Sequence, residues 1–230
     1  MKDGLEALLA SLQLADSAFP SGFYTLSHGL EGYAQARAIS AENLSMLLAD
    51  LIRHSVGTAS GTAMAISHRA ASNCDWDQVI AVDRRLHAAT LNRELRVAAT
   101  RTGRQLLNVA RESFGGKAVE QLWELVSERT IPATQPVVAG VVYADAGAPV
   151  EAAVASELFA FASSFAGAAV RMRLSDHIRA QRLLRNAAPV IADAVRDALT
   201  RSLADLGGCT PLADVMSARH ERAEARLFAT

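Results

Sequence analysis

The sequence predicts an all-α, single-domain bundle of about nine or ten helices, with an apolar helix at its centre. Half of the 230 residues are hydrophobic but only 5% are aromatic. A core therefore has to be built from Ala, Leu and Val, a mixture that favours helix over sheet. Nearly every segment repeats its apolar residues at three- and four-residue spacing, and none alternates as a half-buried strand does. The stretch 152–170 is uncharged except for Glu157, and a helix apolar on every side belongs in the middle of a bundle.

A chain of this length can bury an ample core as one domain spanning 1–230. The 23 basic and 24 acidic side chains leave a formal charge of -1, which gives no global attraction to nucleic acid or anionic lipid. Alanine, serine and glycine dominate 152–170, and Glu157 within it would cost roughly 2 kcal/mol or more at the centre of a bilayer, so a membrane span is not expected. Cys74 and Cys209 form no Cys-x-x-Cys pair, and reduced cysteines are expected. The start Met1-Lys2-Asp3-Gly4 does not read as a secretory signal, and a cytoplasmic location is the expectation.

Along the chain, Leu5, Leu8, Leu9 and Leu12 set a helical period that stops at Asp16-Ser17. Pro20 lacks an N–H and pushes Phe19 into an extended conformation, and Asp16 and Ser17 read as caps at the break. A helix restarts near Tyr24, with Leu26, Leu30 and Tyr33 inward and Gly29 and Gly32 allowing close backbone approach. Ser40 reads as the N-cap of a helix whose stripe is Leu44, Leu47, Leu48, Leu51 and Ile52. It leads into the small residues of 57–61, a face that permits close helix pairing within the chain or between two copies. Asp75 and Gln78 fit a capping box ahead of Val79, Val82 and Leu86.

From Leu91 a further helix buries Leu95, Ala98, Ala99, Thr102, Leu106 and Val109. Arg93, Arg96, Arg101, Arg104 and Arg111 lie elsewhere on it and, with Arg84 and Arg85, form the densest basic region. It reads as a solvated face or as a docking surface for an acidic protein. Nucleic acid ranks last, because interleaved aromatic residues are absent. A short helix with Val119, Leu122, Trp123 and Val126 inward follows Gly115-Gly116. The run Val137 to Tyr143 has strand propensity, but Pro136 suits a first helical turn and no partner strand exists, so helix is expected. Pro189 is expected to open a last regular helix through Ile191, Val195, Leu199 and Leu203. The polar, arginine-rich segment at about 209–230 is expected to be a flexible tail that orders on a partner.

The histidines, His28, His54, His68, His87, His177 and His220, contain no i, i+3 or i, i+4 pair, which leaves no zinc-type spacing. No G-x-x-x-x-G-K-[ST] phosphate loop or G-x-S-x-G elbow occurs. Neither a metal site nor a catalytic residue is expected. The alternative is an all-α enzyme or small-ligand-binding protein in which the turn folds Asp16, His28 and Glu31 into an acid–base trio.

The run Leu14-Ala15-Asp16-Ser17-Ala18-Phe19-Pro20-Ser21-Gly22, followed by Tyr24-Thr25, Ser27 and Gly29-Leu30-Glu31, resembles the N-terminal signature of the urease accessory protein UreF family. Weaker blocks of the same kind are Arg93-Glu94, Gly103 to Leu107, Pro211 to Asp214, Ser217 to Glu221, and Arg226-Leu227-Phe228. The sequence departs from the family pattern at Leu26, where a histidine commonly precedes the serine, with His28 two positions later. It departs again at Gln135, near which many members carry a histidine, and at Ser175-Asp176-His177, where a proline-containing Gly-Gln sequence is common. The resemblance implies a helical, non-enzymatic chaperone for nickel insertion that bridges the UreD/UreH scaffold protein and the UreG GTPase beside the urease apoenzyme. It also implies a homodimer, no tightly bound cofactor, and nickel handled by the wider complex. The matching positions, and hence the implied partner-binding residues, are Phe19, Pro20, Gly22, Tyr24 and Ser27 with Arg219, His220, Glu221 and Arg226.

Overall fold

The computed structural model describes residues 4–229; the side chain of Tyr24 lies outside that description. Among the described residues every regular element is helical. The α-helices are α1 (Gly4–Ala15), α2 (Leu30–Gln35), α3 (Leu44–Leu51), α4 (Thr62–Ser72), α5 (Trp76–Ala89), α6 (Arg93–Ser113), α7 (Lys117–Ser127), α8 (Gln135–Asp145), α9 (Val150–Arg171), α10 (His177–Thr200) and α11 (Pro211–His220). A π-helical segment, Ile52–Gly61, joins α3 to α4 end to end, so the described residues form 10 separate α-helical rods, within the nine or ten that the periodicity predicts.

The caps follow local chemistry. Asp75 accepts the Gln78 N–H at 3.1 Å, Asn92 the Leu95 N–H at 3.1 Å and Asp176 the Arg179 N–H at 2.8 Å. Each satisfies a donor that the first turn leaves free. Pro136 sits in the first turn of α8, where its missing N–H costs nothing, and the β-branched run behind it is helix. Positions 135–143 are all buried, making α8 the most enclosed rod. The apolar α9 is the rod against which α1, α2, α4, α8 and α10 lean. It is the one described helix long and apolar enough to cross a membrane, yet Glu157 and most of its large side chains point into the core.

Two expectations need correction. Pro189 opens no helix: it lies inside α10, on an exposed face where the carbonyl that loses its donor meets solvent. The helix after Ser40 starts at Leu44, behind a turn. The small residues of 57–61 do permit close helix pairing, and the pairing is within the chain. A Cβ on Gly57 would stand 3.0 Å from the Ala194 Cβ, and one on Gly61 3.4 Å from the Ala198 Cβ, so these glycines let the π segment lie close against α10 within one chain.

One device the sequence hid is Asp83. Its carboxylate is fully buried and accepts the N–H of Ala133 at 2.7 Å and of Thr134 at 2.8 Å, together with the Thr134 hydroxyl. Burial raises its pKa, while those donors oppose the rise. The bonds pin the connection before α8 and set Gln135 at the helix start. Removing this carboxylate strands several buried donors, so Asp83→Ala is expected to cost about 3 kcal/mol. A denaturant titration with an unchanged midpoint would contradict the assignment.

Candidate functional site

The motif between α1 and α2 forms a compact turn. Asp16 caps the break by accepting the Ala18 N–H at 2.7 Å, and Phe19 turns inward to the core. Gly22 (φ 85°) and Gly29 (φ 82°) supply left-handed conformations on either side of a 3-10 turn, Phe23–Thr25. The Ser164 hydroxyl of α9 lies 3.2 Å from the Phe23 carbonyl and 3.3 Å from that of Leu26, fixing the turn to the bundle.

Onto this turn folds the carboxy-terminal segment. α11 packs across α2, and Gly32 permits it, because a Cβ there would collide with the Met216 carbonyl. The chain then crosses Glu31, whose carboxylate accepts the N–H of Leu227 at 2.8 Å and of Phe228 at 3.0 Å. His220, with no exposed surface, places Nε2 2.9 Å from Glu31 Oε2 and Nδ1 3.1 Å from Glu94 Oε2. Both ring nitrogens face carboxylate oxygens, an arrangement that an imidazolium satisfies with its two N–H donors. Arg226 pairs with Glu94, so two anions meet two potential cations. The Ala229 N–H donates to the Thr25 carbonyl at 3.0 Å, and the Arg171 guanidinium lies 4.4 Å from the Phe228 ring centre. Glu221 reaches Arg93 at 2.8 Å. The first motif, the start of α6 and the tail thus close on one another through side chains that are nearly 200 residues apart in sequence.

This places each expected partner-binding residue. Pro20, Arg219 and Arg226 are exposed; Gly22 and Glu221 are half-buried. Phe19, Ser27 and His220 are interior, where they hold the surface and do not present it. Tyr24 lies outside the described side chains. The Asp16–His28–Glu31 trio is not assembled: Asp16 is spent on a backbone N–H and Glu31 on the tail. Sequence reading missed Glu31, Glu94 and Arg171 as the anchors of the tail.

Beneath the turn lie two cavities of about 210 Å³ each, which share Phe23, Gln135 and Glu157 in their walls. Glu157 is buried, and its Oε2 accepts the Gln135 side-chain N–H at 2.9 Å. Burial raises the Glu157 pKa to about 7, with the Gln135 bond opposing. His28 packs between Phe23 and Phe161, at centroid distances of 5.1 and 4.6 Å, and its Nε2 is buried without a hydrogen-bond partner. Burial, helped by Arg171, lowers the His28 pKa to about 3, so the ring is neutral. Leu26 and Gln135, the two positions that depart from the family histidines, line the same cavity as His28. Among the described residues no group of three or more His, Cys, Asp or Glu side chains is arranged to hold a metal ion.

A family model for UreF matches residues 39–188, the central part of the chain. The similarity to individual proteins reaches further and covers nearly the whole chain. The urease accessory protein UreF of Trichodesmium erythraeum is 32% identical over 222 residues, covering 96% of this chain and 96% of that protein. The corresponding protein of Arthrobacter sp. is 30% identical with the same coverage of each chain, and UreF 2 of Brucella canis is 25% identical over 97% of this chain and 92% of its own. A family model spanning more than half of the sequence, joined to near full-length similarity, has one consequence: the chain belongs to the UreF family of urease accessory proteins.

Proposed function

We propose that this protein is a non-enzymatic chaperone of nickel insertion that bridges the UreD/UreH scaffold protein and the UreG GTPase beside the urease apoenzyme. The observation that supports this reading best is the single surface formed by the first motif and the tail. It carries Pro20, Arg219, Arg226 and Leu227, the last 78% exposed, on a base of buried ion pairs. Exposed arginine and apolar side chains held on a rigid base are the usual anchors of an interface. Phe19, Ser27 and His220 then act by holding that base, and Gly22, Tyr24 and Glu221 complete the turn and its edge. Nickel is cargo in this reading, handled by the wider complex, in the cytoplasm.

A pull-down of the scaffold protein and the GTPase by the full chain tests it, with nickel titrated alongside. Leu227→Asp combined with Arg219→Glu alters exposed groups only, and is expected to weaken capture of at least one partner about ten-fold or more with helical content unchanged. Unchanged capture of both would remove the surface from consideration.

The homodimer belongs to the same reading and finds a better face than 57–61. On α1 the buried side is Ala7 and Ser11, while Leu5, Leu8, Leu9 and Leu12 are 53–60% exposed at helical spacing. A stripe of this kind on a folded protein marks a contact with another molecule, and a second copy of the helix matches it. Leu8→Asp with Leu12→Asp is expected to give a monomer in sedimentation with little change in thermal midpoint. A dimer that persists would place the contact elsewhere.

A further inference from the structure

The arginines of the basic region separate by what they touch. Arg84 donates twice to the Thr130 carbonyl, and Arg96 to the carbonyls of Thr90 and Leu91. Arg93 pairs with Glu221, while Arg111 pairs with Glu120 and lies 4.6 Å from the Trp123 ring centre. Those four are structural. Arg101 makes one long side-chain contact, 3.3 Å to the Thr25 hydroxyl, and the side chains of Arg104 and Arg129 have no hydrogen-bond or ion-pair partner among the described residues. These last three line one open groove of about 670 Å³ between α6 and α7.

The groove is built for more than loose cations. Val97, 59% exposed, and the half-buried Trp123 and Val126 give it an apolar strip. No carboxylate lines it among the described residues, so three positive charges gather in one place on a chain whose formal charge is -1. Arg129 is fixed at its base: it adopts φ 59° in the turn that closes α7, with its N–H on the Val126 carbonyl at 3.1 Å. Arg101 borders the first motif through Thr25, so the groove is continuous with the surface described above.

We propose that this groove is a docking surface for an acidic segment of a partner protein, one that sets an apolar side chain between its carboxylates. The guanidinium groups would take the carboxylates as planar, two-pronged donors, and the Trp123–Val97 strip would take the apolar residue. Complementary charge supplies the choice of partner, and desolvation on the strip supplies residence time. Single-stranded nucleic acid fits poorly. It needs a ladder of aromatic faces, and Trp123 is the one ring lining the groove among the described residues. This goes beyond the chaperone reading and does not require it, since the test uses no urease protein.

The test is fluorescence anisotropy on the full chain, with a short fluorescein-labelled peptide of glutamate pairs separated by single leucines. The comparison probes are the same peptide with lysine for glutamate, the same with serine for leucine, and a single-stranded oligodeoxythymidine. Binding of the glutamate–leucine peptide alone, weakened by added salt and about ten-fold by Arg104→Glu with Arg129→Glu, is the expected result. Arg104→Gln with Arg129→Gln, which adds no repulsion, is expected to weaken it in the same direction. Arg182→Glu, on the exposed side of α10, is expected to leave it unchanged. Circular dichroism of each variant separates loss of binding from loss of fold. The proposal is overturned if the wild-type chain fails to bind the peptide at low salt, if the groove variants bind like the wild type, or if the oligonucleotide or the lysine peptide binds as tightly.

Discussion

Glu31→Ala will release the carboxy-terminal tail from the body of the protein. The carboxylate accepts two tail N–H groups and stands 2.9 Å from a ring nitrogen of a fully buried histidine. Removing it strands those donors, the Phe228 N–H and the His220 ring nitrogen in buried positions, and leaves His220 with only Glu94. Truncating one side of a buried, hydrogen-bonded charge cluster costs about 3–5 kcal/mol, more than any exposed ion pair in this molecule would. The loss is local, because 221–229 contributes no regular helix. Hydrogen exchange is therefore expected to rise through 221–229 and trypsin to cut first after Arg222 and Arg226, with far-ultraviolet dichroism nearly unchanged. Glu31→Gln keeps the volume and one acceptor oxygen, so it is expected to fall between the two. Tail protection that survives in the alanine variant would mean that Arg226, Arg171 and the Thr25 contact are enough to hold it.

That tail shows where sequence reading stops. The helices were legible because burial imposes a period: Leu44, Leu48 and Leu51, or Val79, Val82 and Leu86, turn inward where the spacing puts them. The caps at Asp75 and Asp176 are local chemistry, and only the first was read. Pro189 misled because a proline in a helix is costly only when its turn cannot be relieved, and exposure is a property of the fold. The leucines of α1 show a different limit. Their spacing shows a helix with an apolar face, but not whether its own chain or another molecule covers that face. The pairing of Glu31 with His220 spans 189 positions, and nothing in a single sequence couples two such residues. The arginines were legible as a cluster, but only partners at known distances separate those that hold carbonyls from those that face the solvent.

The second large effect concerns the buried pair beneath the turn, and the signs of its two members oppose. Glu157 has a folded pKa of about 7 against an ordinary 4.5, so it favours the folded state while protonated. That contribution is complete below pH 4.5 and is lost as pH rises through about 7, a difference of about 3 kcal/mol at 1.4 kcal/mol per unit. His28 runs the other way: its folded pKa of about 3 lies below the ordinary 6.5, so the stability it confers is present above pH 6.5 and is lost as pH falls toward 3. Between pH 4.5 and 6.5 the two trends offset each other. Glu157→Gln keeps the volume and a hydrogen-bonding group for Gln135 while removing one trend. The variant is expected to match the wild type near pH 4.5 and to exceed it by about 3 kcal/mol at pH 8, with stability falling steeply on the acid side where His28 is left alone. Chemical denaturation at a series of pH values reads both limbs. A variant no more stable than the wild type at pH 8 would mean that the carboxylate ionises in contact with water, and that the wall between the two cavities is open.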